Sequence, residues 1–125
     1  MKKSLSYDDV LLMPQYSNIK SRTEVDTSTN LSAGLKLSLP IISSPMDTIT
    51  ETSMAFVMGT VGGTGIVHRY NTIEEQTDII KEVNECFAHE PDMPYGTQQV
   101  GAAVGVTGDF IERAQALVFA GVDYI

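Results

Sequence analysis

The sequence predicts an α/β fold built on parallel strands, and three observations carry that reading. Four apolar runs, Leu39 to Ser44, Thr64 to His68, Val100 to Val106 and Val122 to Ile125, are continuous rather than alternating, as strands buried on both faces require. Between them lie segments whose apolar residues recur every three or four positions, the period of a helix with one buried face. Glycines fall where two of those segments would stop, at Gly62-Gly63 and at Gly121, as helices that end in a left-handed residue favour.

Each element follows in order. Residues 1–38 hold no long periodic stretch and are punctuated by Asp8, Asp9, Pro14, Asn18, Ser28, Asn30 and Gly34, which predicts an extended arm leading into the first strand. That strand is expected to end at Ser43 or Ser44. Thr52 to Val61 forms the first helix, with Met54, Val57, Met58 and Val61 on one face. After the second strand, Ile73, Gln76, Ile80, Val83 and Phe87 define the face of a second helix, and Thr72 with Glu75 has the spacing of a capping box. Glu90 to Gly96, with Pro91 and Pro94, is a short turn-rich connection to the third strand. The third helix runs from about Asp109 to Ala120, with Phe110, Ala114, Leu117 and Val118 on one side.

The order β-α-β-α-β-α-β forces parallel pairing and leaves two architectures, a doubly wound open sheet or a closed eight-stranded barrel. A closed barrel takes roughly 250 residues, so four strands would make about half of one. The last run, Val-Asp-Tyr-Ile, breaks off inside a strand, and the chain is expected to continue beyond it.

Composition bounds the partners. The 125 residues are 42% hydrophobic, enough for one soluble domain with a modest core. A formal charge of -8 repels nucleic-acid backbone and anionic membrane surfaces, so neither is an expected partner. No apolar run approaches the roughly 18 residues that span a bilayer, and the opening residues lack a secretory signal; a cytoplasmic protein is expected. A single cysteine, Cys86, excludes an internal disulfide and a cysteine-based metal site within this chain.

In parallel α/β folds of either architecture, ligands meet the loops that follow the strands. The first such corner, Ser43-Ser44-Pro45-Met46-Asp47-Thr48, gathers two hydroxyls, a carboxylate and a thioether. Ser, Asp and Thr are equally ordinary turn and capping residues, whereas an exposed Met offers a flat base a polarisable surface. The second corner, His68-Arg69-Tyr70-Asn71, combines an imidazole, a fixed cation and an aromatic ring, fit either for an anion or ring ligand or for a plain surface loop. The third, Gly105-Val106-Thr107-Gly108, is a small-residue turn. Gly62-Gly63-Thr64-Gly65 follows a helix and precedes a strand, the reverse of a phosphate-cradling loop. Cys86 on the second helix reads as a packing or surface thiol rather than a nucleophile, and His89 as a solvated side chain.

Together these segments resemble a known family. Tyr7-Asp8-Asp9-Val10-Leu11-Leu12 with Pro14, Ser21-Arg22-Thr23-Glu24-Val25-Asp26, and Pro40 through Glu51 with its Ser-Ser-Pro-Met-Asp-Thr core resemble the opening of enzymes of the IMP dehydrogenase and GMP reductase family. Gly65-Ile66-Val67-His68, Gly101 to Gly105 and Ala120-Gly121-Val122-Asp123 continue the match in order. The resemblance implies the N-terminal half of a parallel (β/α)₈ TIM barrel preceded by an extended arm, with residues 1–38 as the arm and 39–125 as the first part of the catalytic barrel. It implies a purine-nucleotide oxidoreductase in which a cysteine adds to C2 of the IMP base, hydride passes to NAD⁺ and water releases XMP. Ser44, Met46 and Asp47 match substrate-binding positions, with Asp47 and Thr48 serving loop geometry as well. Ser21 and Arg69 match positions near the dinucleotide. The cofactor implied is NAD, or NADP for a reductase, with a monovalent cation such as potassium as a further candidate.

The resemblance further implies a homo-oligomer, a tetramer in the complete enzyme. The cysteine loop and phosphate-gripping loops would lie beyond Ile125, so no catalytic residue is expected in this chain and it is not expected to catalyse alone. Regulatory modules that many dehydrogenases insert between the second helix and third strand are absent here, as in the reductases. The Ser-Ser-Pro-Met-Asp-Thr loop points instead to a dehydrogenase, since reductases usually carry Ala-Asn-Met-Asp-Thr. GMP reductase is the alternative, and a non-catalytic half-barrel assembly module a third reading. A flavodoxin-like domain is disfavoured by the lack of a glycine-rich turn after the first strand.

Overall fold

A computed structural model describes residues 4–32, 34–90, 92–93 and 96–125. Pro91 and Pro94 of the predicted turn-rich connection, and the first three residues of the arm, lie outside the described residues.

Among the described residues the chain forms two sheets, three α-helices and two single-turn 3-10 helices, Tyr7–Asp9 and Arg22–Glu24. Within the predicted arm, β1 (Thr29–Ser32) and β2 (Leu35–Leu37) pair antiparallel, an element the sequence hides because its strands are short and Leu35 and Leu37 are the buried pair. Next come β3 (Ile42–Ser43), α1 (Thr52–Thr60), β4 (Thr64–Val67), α2 (Ile73–His89), β5 (Val100–Ala102) and α3 (Phe110–Phe119). β3, β4 and β5 form a parallel sheet in that order. The fourth predicted strand appears as one parallel bridge, Gly101 to Tyr124, reinforced by Asp123, whose backbone N–H bonds Val100 O at 3.0 Å and whose carboxylate accepts from Val100 N at 2.8 Å. The observed strands are shorter than the apolar runs, which continue into the loops.

Local chemistry sets the helix ends. Thr72 and Glu75 form the predicted capping box, Glu75 N donating to Thr72 Oγ1 at 3.1 Å and Thr72 N to Glu75 Oε2 at 2.8 Å, so two otherwise unpaired N–H groups are satisfied. Gly62 and Gly121 take φ of 89° and 88° beyond α1 and α3, the left-handed region where a Cβ is costly.

Helices cover one face of the parallel sheet. Val67, Val100 and Ala102 of the strands meet Ile80, Val83 and Phe87 of α2, Ala55 of α1 and Leu117 of α3 in one buried cluster. The buried face of α2 follows the predicted one from Gln76 onward. On α1 the prediction fails: Met54, Val57 and Val61 are exposed, and the buried positions are Ala55 and Gly59. The cause is proximity. A Cβ added to Gly65 of β4 would lie 2.7 Å from Ala55 Cα, and one on Gly59 would lie 2.7 Å from Phe87 Cε1 of the α2 ring, so α1 meets the β4 backbone at one point and an aromatic ring at the other, and only small residues fit. On α3, Phe110 and Val118 are exposed and Arg113 is buried beside Leu117, because Arg113 finds polar partners described below. Among the described residues no helix is long and apolar enough to cross a membrane.

The hairpin sits at the end of the sheet where the strands begin. Leu39 N donates to Gly62 O at 2.9 Å and Gln99 Nε2 to Gly34 O at 3.2 Å. Tyr124 lies across Gly101, its ring filling the space where a Cβ there would stand, and its hydroxyl bonds Thr64 Oγ1.

Gly65→Ala should destabilise the fold by about 1–3 kcal/mol, since α1 must shift off β4 to admit the methyl; a chemical-denaturation midpoint equal to the parent's would contradict the close approach. A second outcome concerns Asp123, whose carboxyl burial pushes up against the lowering effect of the Val100 N–H. A raised folded-state value means stability that is present below the unfolded value of about 3.9 and lost as pH rises through the folded one. Asp123→Asn keeps an acceptor and removes the charge, so its thermal midpoint should exceed the parent's near neutral pH and lose that margin at about pH 3. A margin that grows on acidification would contradict the assignment.

Candidate functional site

Three loops leave the carboxyl ends of β3, β4 and β5, and they contain all three corners singled out in the sequence. In the first, Ser44, Met46 and Asp47 are exposed, with Met46 47% accessible. The loop is a compact turn: Met46 N donates to Ser44 O at 2.8 Å, and Ile49 N and Thr50 N both donate to Met46 O at 3.0 Å. Thr50 anchors it from below. That side chain is fully buried, with its hydroxyl 2.5 Å from Ser44 O and 2.9 Å from Ser43 Oγ.

The second loop is tied to the first. His68 is buried, its Nδ1 accepting from Tyr70 N at 3.2 Å and its Nε2 lying 3.4 Å from Glu51 Oε1. An Nδ1 that accepts leaves the proton on Nε2, so a neutral imidazole satisfies both contacts at once. The imidazole therefore joins two loops at the edge of a cleft that it also lines. Arg69 and Tyr70 remain exposed, the guanidinium 5.7 Å from the centre of the Tyr70 ring. Asp47, Glu51, His68 and Tyr70 line one side of a cleft of about 490 Å³, closed on the other by Glu75 and Asp78 of α2. A second cleft of about 420 Å³ shares Asp47 and Glu51; Ser44 and Met46 line neither.

The third loop meets the second at Gly105, where a Cβ would stand 3.3 Å from Arg69 Nη1, so a side chain there would crowd the guanidinium. Beneath both loops lies a polar group the sequence reading missed. Arg113 Nη1 donates to Gln76 Oε1 at 2.9 Å, Nη2 to Asn71 O at 3.1 Å, and Nη2 and Nε to Asp109 Oδ2 at 2.8 and 3.2 Å. The hydrogen bonds from Arg113 hold the Asp109 carboxyl below its usual range. Neither polar atom of the buried Asn71 amide has a partner, a cost of about 1–3 kcal/mol that the Arg113 bond to the same residue's carbonyl helps offset. Two signals pointed here: Gln76 interrupts the apolar face of α2, and Asp109 and Arg113 stand four residues apart, the spacing of a helical ion pair. Thr50 carried no such signal.

Ser21 is not brought to this rim by any bond it makes in its own turn, where its hydroxyl accepts from Thr23 N at 3.3 Å and lies 2.8 Å from Thr23 Oγ1. Cys86 is half-buried on α2 and His89 exposed at its end. Among the described residues no three His, Cys, Asp or Glu side chains converge as metal ligands.

Comparison with known proteins identifies the family of the chain. The model of the IMP dehydrogenase / GMP reductase domain matches residues 4–125. An inosine-5'-monophosphate dehydrogenase of Nitrosopumilus maritimus is 44% identical over 94 residues, 75% of this chain and 20% of that protein. A counterpart of the same name from Staphylococcus saprophyticus is 48% identical over 82 residues, and a GMP reductase of Leishmania donovani 47% over 83, each covering 66% of this chain and 17% of the relative. The chain thus spans about a fifth of the length of the relatives it matches. With the family model covering all but the first three residues, the chain belongs to the IMP dehydrogenase / GMP reductase domain family.

Proposed function

We propose that this chain supplies the nucleotide-binding first half of a (β/α)₈ barrel in an NAD-dependent IMP dehydrogenase, which converts IMP, NAD⁺ and water to XMP, NADH and a proton. The observation that carries the reading is the exposed Ser44-Pro45-Met46-Asp47 turn at the carboxyl ends of parallel strands, in a chain of this family. Three parallel strands and the rung of a fourth are what about half of an eight-stranded barrel would contribute. In this reading the Ser44 hydroxyl orients the nucleotide and the Met46 thioether packs on the purine face. Asp47 holds the turn at the mouth of the cleft it lines.

The residues of the second and third loops fit a nicotinamide dinucleotide. An exposed ring and guanidinium side by side offer an adenine a stacking face and a diphosphate a counter-charge, and Gly105 leaves room beside them. When bound, the dinucleotide supplies the hydride acceptor. Ser21 stands in the arm as a further cofactor contact. The nucleophile and water-activating groups are assigned to the rest of the longer protein.

A GMP reductase, using NADPH to convert GMP to IMP, is the second reading. It is favoured by the short link from His89 to Val100 between α2 and β5, which leaves no room for an inserted regulatory module. The Ser-Ser-Pro-Met loop favours the dehydrogenase.

The full-length protein should form reduced dinucleotide from IMP and NAD⁺; consumption of NADPH with GMP and no turnover of IMP would select the reductase instead. Ser44→Ala and Met46→Ala should each weaken nucleotide binding by several-fold to about tenfold in calorimetry, and parental affinity in both would remove the turn from the site. Thr50→Val, which keeps the shape and deletes the hydroxyl, should cost about 0.5–1.5 kcal/mol of stability by removing the bonds to Ser44 O and Ser43 Oγ, while Ser44 O keeps Met46 N as a donor. It should also speed amide exchange in the turn; a turn exchanging at the parental rate would show that Thr50 does not anchor it.

A further inference from the structure

The loops 68–71 and 104–108 are each pinned at both ends by the same two side chains. Gln76, fully buried on α2, donates from Nε2 to Val67 O at 3.4 Å and to Ala103 O at 3.1 Å, the carbonyls just ahead of the two loops. Arg113, 8% exposed on α3, holds the far ends, bonding Asn71 O and the Asp109 carboxylate. The bond from Arg113 Nη1 to Gln76 Oε1 joins the pins into one unit. A side-chain amide has the two donors and one acceptor that this arrangement uses, and a guanidinium has the fork that reaches three acceptors at once.

The pair is not needed to hold the helices together. Ile80 and Val83 of α2 belong with Leu117 of α3 to the buried cluster, and Asn84 Nδ2 bonds Gly121 O at 3.0 Å at the other end. Buried ionic groups contribute little to adhesion once their desolvation is counted, but they fix geometry closely. What this pair fixes is the spacing of two loops that meet where Arg69 faces Gly105.

We propose that Gln76 and Arg113 are positioning residues that set the relative placement of the two loops, and through Arg69, Tyr70 and Gly105 the affinity for the dinucleotide. The second half of this statement rests on the functional reading above; the first does not. The guanidinium contacts protein acceptors only, so its effect on ligand passes through the loops. A lysine at position 113 would keep the charge and one or two of the bonds, and a methionine would keep the volume and none of them.

The test uses the full-length protein and reads amide hydrogen exchange together with steady-state kinetics. Arg113→Met should accelerate exchange in both loops together, by about tenfold, and raise the KM for dinucleotide about tenfold with kcat within about threefold. Arg113→Lys should recover part of both effects. Leu117→Ala, a core truncation outside the loops, serves as the control: it should lower the unfolding midpoint without separating KM from kcat or loosening the loops selectively. Should Arg113→Met fail to fold, Gln76→Glu keeps the acceptor for Arg113 and loses both donors, and should loosen the Val67 and Ala103 ends while the Asn71 end stays protected. The proposal is overturned if the two loops exchange at the parental rate, if only one responds in Arg113→Met, or if Leu117→Ala reproduces the pattern. Absence of any dinucleotide-dependent turnover in the parent would defeat the functional reading while the exchange data still decide the positioning role.

Discussion

Where parallel strands end, their last carbonyls leave the ladder and must find partners in a layer that is otherwise apolar. In this chain the Gln76 amide reaches two such carbonyls from a fully buried position, Ala103 O at 3.1 Å and, at 3.4 Å, Val67 O, which also accepts from Ala103 N at 2.9 Å. The remaining arrangement follows. An amide buried there needs its own oxygen satisfied, which draws Arg113 inward; a buried guanidinium needs an anion and further acceptors, which fixes Asp109 and the Asn71 carbonyl. The loops are thus shaped by the satisfaction of strand ends rather than by contacts within the loops, and the residues left exposed on them, Arg69 and Tyr70, are those the polar layer does not use.

Much of the fold was legible in the sequence, and the reasons are local. The reciprocal bonds of Thr72 and Glu75 depend on residues three apart, and the left-handed Gly62 and Gly121 on single positions, so inspection of short stretches finds them. Runs such as Gly65 to Val67 carry no polar side chain, which identifies a strand buried on both sides. The face of α1 was not legible, because a helix wheel favours its largest apolar residues while the close approach of Ala55 to Gly65 admits only the smallest. That choice is made by β4, ten residues away in sequence. Arg113 was missed for a related reason: charge argues for solvent until its acceptors, spread over three separate segments, are brought together.

The site divided in the same way. Its exposed turn was readable because Pro45 and Met46 follow the apolar run; Ser44 and Asp47 are ordinary turn residues that by themselves mark only a connection. His68, read as either a ligand corner or a plain surface loop, is buried and bonded to Glu51 and Tyr70; burial of a side chain one residue past a strand end depends on how the neighbouring loop folds over it, which no local pattern records. Thr50 is one hydroxyl among six threonines and serines from Ser43 to Ser53, and only its zero exposure sets it apart.

The Tyr124 hydroxyl meets Thr64 across 60 residues of sequence, and Gln99 meets the hairpin at Gly34 across 65. Contacts of such separation delay folding, because the loop they close must be ordered before they return any stabilisation. On a ribosome adding about 5–20 residues per second, β4 would wait on the order of several seconds for the side chain that covers Gly101 and bonds Thr64. During that interval the nascent sheet has its hairpin but not its ring, and the apolar face awaiting α2 and α3 is open to solvent and to chaperones. The order of emergence therefore places the hairpin ahead of the tyrosine, so the end at which the strands begin has its hairpin well before it gains the Tyr124 bond to Thr64.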